Sequence, residues 1–212
     1  MGWIQCLQFH RIQDTLHRRI DDVHSLEDRV SDKVQQTQKW VQEVVVRHNF
    51  CPFAHPVVKN DAVRYQIIAP EESESLLRIL ADECAYLEAH PEVATTLLVF
   101  ETLAEDFYDF LDCVAEADHW IEASRFYGVF QLASFHPDYV FAGSQYSDPA
   151  NFTNRSPFPM LHILREEELE TALANWREPE QIPERNIRLA REKGGRHFAD
   201  ILQQIRGTSS KR

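Results

Sequence analysis

Three short segments of the chain contain the side chains that could do chemistry. They cover residues 49–54, 133–137 and 151–166, and each combines a reactive or charged side chain with prolines and aromatic residues. A thiolate beside an imidazole can act as a nucleophile, imidazoles can exchange protons, and an arginine offers a planar fork to a carboxylate or phosphate. The candidate catalytic residues are Cys51, His136 and His162, and the candidate substrate-binding residues are Asn154, Arg155 and Ser156.

His136 is predicted to lie where a strand ends. An apolar run follows Gly128, and Pro137 cannot continue a central strand. Ligands of open α/β sheets bind at the carboxyl ends of strands, and the long loop that follows, residues 138–159, is typical of a functional surface. Because His162 falls in the next predicted strand, we expect His136, Arg155 and His162 to line one cleft, with Cys51 at or near its wall.

Each candidate also has a structural interpretation. Cys51 follows a predicted helix, whose C-terminus disfavours a thiolate, so it could equally be a small buried hydrophobic residue. The two histidines could be buried and bonded to the backbone, and Arg155 could pair with an acid and pin the long loop. Little packing is expected to be lost on truncation of His136, so His136→Ala is predicted to damage function more than stability.

A metal site is a second use of the same residues. His136, His162 and Cys51 are the candidate ligands, and His55, Glu101 and Asp138 could complete the set. No compact ligand signature occurs, and the sequence identifies no cofactor.

The elements that must position these residues alternate between strands and helices. This alternation predicts an α/β fold: a single-domain sandwich with a mainly parallel short sheet of about four strands, one of them antiparallel, flanked by helices. Residues 1–30 are predicted to be a helical N-terminal extension, residues 31–206 the single domain, and residues 207–212 a disordered tail. The strands are predicted at residues 63–69, 95–100, 128–134 and 160–164.

Composition excludes several classes of partner. The net charge of −12 argues against nucleic acid and against anionic lipid. No apolar run reaches the roughly 20 residues that span a bilayer, and residues 1–10 do not form a secretory signal. The four scattered cysteines indicate the cytoplasm or another reducing compartment. The expected partners are a small molecule or a protein that binds residues 1–30.

Several motifs together resemble a known family. They are Cys51-Pro-Phe-Ala54, Ser134-Phe-His-Pro137, Tyr139-Val-Phe-Ala-Gly143, the run from Asn154 to Glu166, and Glu184-Arg-Asn-Ile187. From about residue 32 to 193 the chain resembles the family named domain of unknown function 1415. The resemblance implies that these residues belong together, and it implies no activity.

The residues leave three functions open, and whether the chain is an enzyme stays undecided at this point. It could be a small soluble enzyme that acts on a small anionic substrate with a Cys/His/Arg site. It could be a metal-binding protein or metalloenzyme, or a non-catalytic binding or assembly subunit. The length of the 138–159 loop favours a site over a pure scaffold.

Overall fold

The computed structural model describes residues 27, 29–68, 76–101, 106–174 and 178–207. The predicted extension over residues 1–30 lies outside the described residues except at positions 27, 29 and 30, and the predicted tail lies outside them beyond residue 207.

Four strands form one mixed sheet in the described part of the chain. They are β1 (Val63–Ile68), β2 (Thr95–Phe100), β3 (Phe130–Phe135) and β4 (Met160–Arg165). Their order is β1-β2-β4-β3, with β1 parallel to β2 and β4 antiparallel to both of its neighbours. Three strands therefore run in one direction and one runs against them, which confirms the predicted α/β class. β4 pairs with both β2 and β3 and lies inside the sheet.

Helices cover both faces of this sheet. In chain order they are α1 (residues 29–40), which continues as a π-helix over Val41–Val46, then α2 (Ala54–Lys59), α3 (Leu76–Ala89), α4 (Phe107–Ala123), α5 (Glu166–Ala174), α6 (Ile182–Lys193) and α7 (Gly195–Arg206). Short 3₁₀ turns lie at Pro149–Thr153 and Pro179–Gln181. None of the described helices is both long and apolar enough to cross a membrane.

Alternation along the strands divides the core in two. Leu98 and Phe100 of β2 pack with α3 and α4 on one face, whereas Leu97 and Val99 pack with α1 and α7 on the other. All six residues of β2 are buried, which explains why this strand consists only of β-branched and apolar residues. We call these two sides the α3/α4 face and the α1/α7 face.

The end of α1 departs from regular helix geometry. Its last turns widen into the π-helix, in which the Phe50 N–H donates to the Val45 carbonyl at 2.9 Å. Three residues beyond the π-helix, Asn49 adopts a left-handed backbone conformation with φ of 53°, so the chain cannot continue as a helix. π-helical turns are rare and occur often at functional sites.

Arg165, the last residue of β4, holds the end of α3 against the sheet. Its guanidinium donates to the carbonyl oxygens of Leu87, His90 and Val93 at 2.5 to 3.3 Å. These carbonyls lie at the C-terminus of α3 and just beyond it, where helical partners are missing and a cation is favoured. One charged side chain therefore fixes the position of α3 relative to β4.

We expect Arg165→Lys to destabilise the fold by about 2 kcal/mol, because an ammonium cannot reach three carbonyls arranged around a planar fork. Urea denaturation checks this value. Arg125→Lys is the matched control, since Arg125 makes a two-pronged but exposed pair with Glu88 at 2.8 Å and should change stability little. Equal effects of the two substitutions would contradict the clamp.

Candidate functional site

The carboxyl edge of the sheet gathers most of the candidate residues. β1, β2 and β3 end at this edge and β4 begins there. Glu101 directly follows β2 and His136 directly follows β3, so both residues lie at this edge. The Phe100 N–H donates to the Pro159 carbonyl at 3.0 Å, which ties the end of β2 to the segment that enters β4.

His136 is fully buried on the α3/α4 face. Its relative exposure is 0%, and its ring centroid lies 5.2 Å from that of Phe107 and 5.1 Å from that of Phe110, both in α4. Nδ1 accepts the Asp138 N–H at 3.0 Å, so the proton of the neutral ring is on Nε2. The expectation that truncation loses little packing is therefore wrong.

His162 lies on the opposite face. The Thr95 hydroxyl donates to the Ile163 carbonyl, so His162 Nε2 must donate to the Thr95 oxygen, at 2.7 Å. The His162 ring is 6.2 Å from that of Phe135, which belongs to the α1/α7 face. Burial lowers the pKa of His162 to about 4.

The predicted cleft shared by His136 and His162 is therefore wrong. The register places Ala133 opposite His162, and residues opposite each other across a strand pair project from the same face. His136 is three positions beyond Ala133, so the pleat turns it to the other face. The two imidazoles cannot act as a pair or ligate one metal ion through this sheet.

Arg155 pins the long loop. Its Nε donates to the Tyr139 carbonyl at 3.1 Å and its Nη2 to the Tyr146 carbonyl at 2.8 Å, and only 6% of the residue is exposed. The rings of Tyr146 and Phe152 lie 4.3 and 4.8 Å from the guanidinium carbon. Burial lowers the pKa of Arg155. Its hydrogen-bond partners are thus backbone carbonyls, and no described carboxylate forms an ion pair with it.

Asn154 and Ser156 also bond within the chain. Asn154 Nδ2 donates to the Ser134 carbonyl at 3.1 Å, and Ser156 Oγ donates to the Phe158 carbonyl at 2.6 Å. The backbones of both residues pair with that of His136, at 3.2 and 3.4 Å. The structure therefore brings this tripeptide together with His136, through backbone contacts.

Cys51 lies apart from this group. It lies between the end of the π-helix and the start of α2, and the N–H groups of Phe53 and Ala54 donate towards its sulfur. Burial is the dominant influence and raises the pKa of the thiol. Within the described residues, no hydrogen bond joins Cys51 to His136, His162 or Arg155.

Lys33 and Glu101 lie together on the α1/α7 side of the carboxyl edge. The sequence does not predict this pair. Lys33 Nζ, on α1, is 3.9 Å from Glu101 Oε1 and 4.3 Å from the centroid of the Phe158 ring. From sequence Glu101 is predicted only as a candidate metal ligand, although a polar residue directly after a buried strand is itself a sign of a functional residue at the sheet edge. Lys33 gives no such signal, because it is one of many charged residues on a helix.

Glu101 is an unusual carboxylate. Its side chain is 6% exposed, and Oε1 is one of two buried side-chain polar atoms in the described residues that lack a hydrogen-bond partner; the other is Thr96 Oγ1. The Lys33 ammonium is too far away for a hydrogen bond to Oε1. Within the described residues no three His, Cys, Asp or Glu side chains converge as a metal site.

The outer side of the long loop forms a hollow of 710 Å³ lined by residues 141–145, residues 147–150, Ile187 and Arg191. Its charged groups already pair with each other, since Arg191 makes two hydrogen bonds to Asp148 at 2.7 and 3.1 Å. This arginine, with the Ala150 N–H, lowers the pKa of Asp148 to about 2. The charged groups of the hollow therefore have hydrogen-bond partners already, whereas Glu101 Oε1 has none among the described residues.

We expect His136→Ala to lower the free energy of unfolding by about 2–4 kcal/mol, because it removes a ring packed between two phenylalanines and leaves the Asp138 N–H without its acceptor. Cys51→Ser should cost about 1–2 kcal/mol. Urea denaturation of both variants measures the difference. A smaller loss for His136→Ala than for Cys51→Ser would contradict this placement.

His162 should make the protein sensitive to acid. Its folded pKa of about 4 lies below the unfolded value near 6.5, so the unfolded state binds the proton more readily. Stability is therefore lost as the pH falls from about 6.5 to 4, by up to about 3 kcal/mol. The measurement is the free energy of unfolding against pH for the wild type and for His162→Gln, whose amide can still donate to Thr95.

The free energy of unfolding of His162→Gln should depend less steeply on pH between about pH 6.5 and 4 than that of the wild type. Some slope remains, because burial lowers the pKa of His48 as well. His119→Gln, at an exposed position of α4, serves as the control and should keep the wild-type slope. Identical slopes for the wild type and His162→Gln would show that this imidazole is not responsible.

Comparison with known proteins places the chain in a family. A family model described as a protein of unknown function (DUF1415) matches residues 32–200, which include all six candidate residues as well as Lys33 and Glu101. No curated protein and no solved structure matches the chain. Since the match covers well over half of the sequence, the chain belongs to the DUF1415 family.

Proposed function

We propose that this protein is a small enzyme that binds a small anionic substrate at the carboxyl edge of its sheet. Lys33 attracts the anion, and Glu101 exchanges a proton with the substrate or with a water molecule beside it. The observation that carries the proposal is the Glu101 carboxylate, which is buried with one oxygen unsatisfied.

The energetic cost of that carboxylate supports a functional role. Removal of an ionised carboxylate from water costs several kcal/mol, and buried polar atoms in folded proteins nearly always have a partner. A purely structural ion pair would close to hydrogen-bond distance, whereas Lys33 Nζ stays 3.9 Å from Oε1. Costly groups of this kind concentrate at sites where proton transfer is needed.

The surroundings of Glu101 suit a small anion. Lys33 keeps 20% of its side-chain surface exposed, so its charge is accessible to a ligand that arrives from solvent. The Phe158 ring beneath the ammonium supplies an apolar wall. Ligands of α/β sheets bind at this edge, beyond the carboxyl ends of the parallel strands.

The residues favoured from sequence have supporting roles in this proposal. Ser156 closes the turn that presents Phe158, and Arg155 holds the preceding loop. Cys51 has no part in it, because its pKa is raised and it bonds to neither imidazole.

The experiment compares variants of the full chain against a panel of small carboxylates and phosphate monoesters, with neutral isosteres of the same size. We expect at least one anion to raise the melting temperature of the wild type, while its neutral isostere does not. Lys33→Gln should weaken that anion at least about tenfold. Lys39→Gln, an exposed lysine on the same helix, is the matched control and should bind like the wild type.

Glu101→Gln separates function from structure. If Glu101 serves a reaction, removal of its unsatisfied charge leaves the melting temperature unchanged or raises it, and abolishes turnover of the identified anion while binding persists. If the pair is structural, the loss of one buried partner costs about 3–5 kcal/mol and the protein melts far lower. The second result, or equal binding by wild type and Lys33→Gln, would overturn the proposal.

A further inference from the structure

Two imidazoles meet where the end of α1 packs on α7, in a place that the proposed function does not use. His48 Nε2 lies 2.9 Å from His197 Nε2. The His48 ring is 8% exposed and packs against Phe50 and Phe198, with centroids 5.5 and 5.0 Å away, whereas His197 is exposed. The His48 nitrogen thus belongs to a packed, buried ring, whereas the His197 nitrogen belongs to an exposed side chain.

The tautomer of His48 follows from its second contact. Nδ1 lies 3.1 Å from the Val44 carbonyl, which can only accept, so Nδ1 carries the proton. Val44 belongs to the π-helix, whose widened turn places this carbonyl beneath the ring. In the neutral ring Nε2 therefore presents a lone pair, which accepts a hydrogen bond from His197 Nε2 at 2.9 Å. A metal ion between the two nitrogens would take the place of that proton once His197 carries its proton on Nδ1.

We propose that His48 and His197 form a two-ligand site for a late first-row divalent metal ion, copper(II) above all, with water in the remaining positions. Two nitrogens bound at about 2.0–2.1 Å with a right angle between them lie about 2.9 Å apart, while tetrahedral ligands lie about 3.3 Å apart. The observed separation matches the right angle of square-planar or octahedral ions. An imidazole whose other N–H donates to a backbone carbonyl is the usual form of a metal-bound histidine.

The charges around the pair explain the choice of metal. Burial lowers the pKa of His48, and the positive charges of Lys193 and Arg47 add to this effect. The same cations weaken the binding of any metal ion, although Glu43 offsets Arg47 at 2.6 Å. Copper(II) has the highest affinity for imidazole in the divalent series, so its binding is the hardest for these positive charges to prevent.

The test is titration of the full chain with copper(II), followed by electron paramagnetic resonance and by competition with a chelator of known affinity. We expect one tightly bound ion per chain whose spectrum shows two imidazole nitrogens. His197→Ala changes an exposed side chain, so it should fold normally and bind copper more than about 100-fold more weakly, which is more than the loss of an outer-shell partner alone would cause. Zinc(II) should bind more weakly than copper(II) to the wild type.

Two further variants make the result decisive. His48→Gln, checked for folding by circular dichroism, should lose the two-nitrogen signature, whereas His119→Ala should keep both affinity and spectrum. Copper binding by His197→Ala that equals the wild type would overturn the proposal. So would a wild-type spectrum with fewer than two imidazole nitrogens, or an equal loss in His119→Ala.

Discussion

The backbone of the loop between β3 and β4 must find hydrogen-bond partners without a strand or a long helix, and the carboxyl edge depends on how it does so. Short backbone turns supply many of these partners, and two buried side chains supply others that the turns cannot. Asn151 accepts from the Phe141 N–H and donates to the Gln145 and Tyr146 carbonyls, and Arg155 donates to the Tyr139 and Tyr146 carbonyls. Buried backbone groups left unpaired would cost about 1–3 kcal/mol each, so these two residues convert an irregular segment into a rigid one.

Once the loop is rigid, it locates the first helix. The Trp40 indole N–H donates to the Arg155 carbonyl at 3.0 Å, and this bond joins residues 115 positions apart in the sequence. With α1 held there, Lys33, two turns earlier, lies over Phe158 and beside Glu101. The edge site is therefore a product of tertiary contacts, in which each polar side chain belongs to a different element.

This origin explains what the sequence could and could not predict. Strand positions and the α/β class follow from local periodicity and turn residues, so the sequence predicts them. The faces of His136 and His162 depend on the register of β3 against β4, which the intervening loop sets and no local pattern reveals. The sequence allows Arg155 to be a loop anchor paired with an acid, and it does anchor the loop, but its partners are carbonyls, because the loop offers more unpaired acceptors than carboxylates. The position of Lys33 at the site cannot be predicted from the sequence either, since only packing distinguishes it from its charged neighbours on α1.

The overall charge of −12 does not conflict with an anionic ligand. Exposed charges more than about 8 Å away are largely screened at physiological salt, so local cations decide whether an anion is captured. Arg155 keeps its charge beneath the loop with only carbonyls as hydrogen-bond partners, and carbonyl dipoles do not cancel a full charge. Arg206 reaches the Ser156 carbonyl at 3.5 Å and adds a second cation to the same loop, and Lys33 lies beyond Phe158. An acidic protein thus retains a locally basic loop, and Glu101 lies beside it.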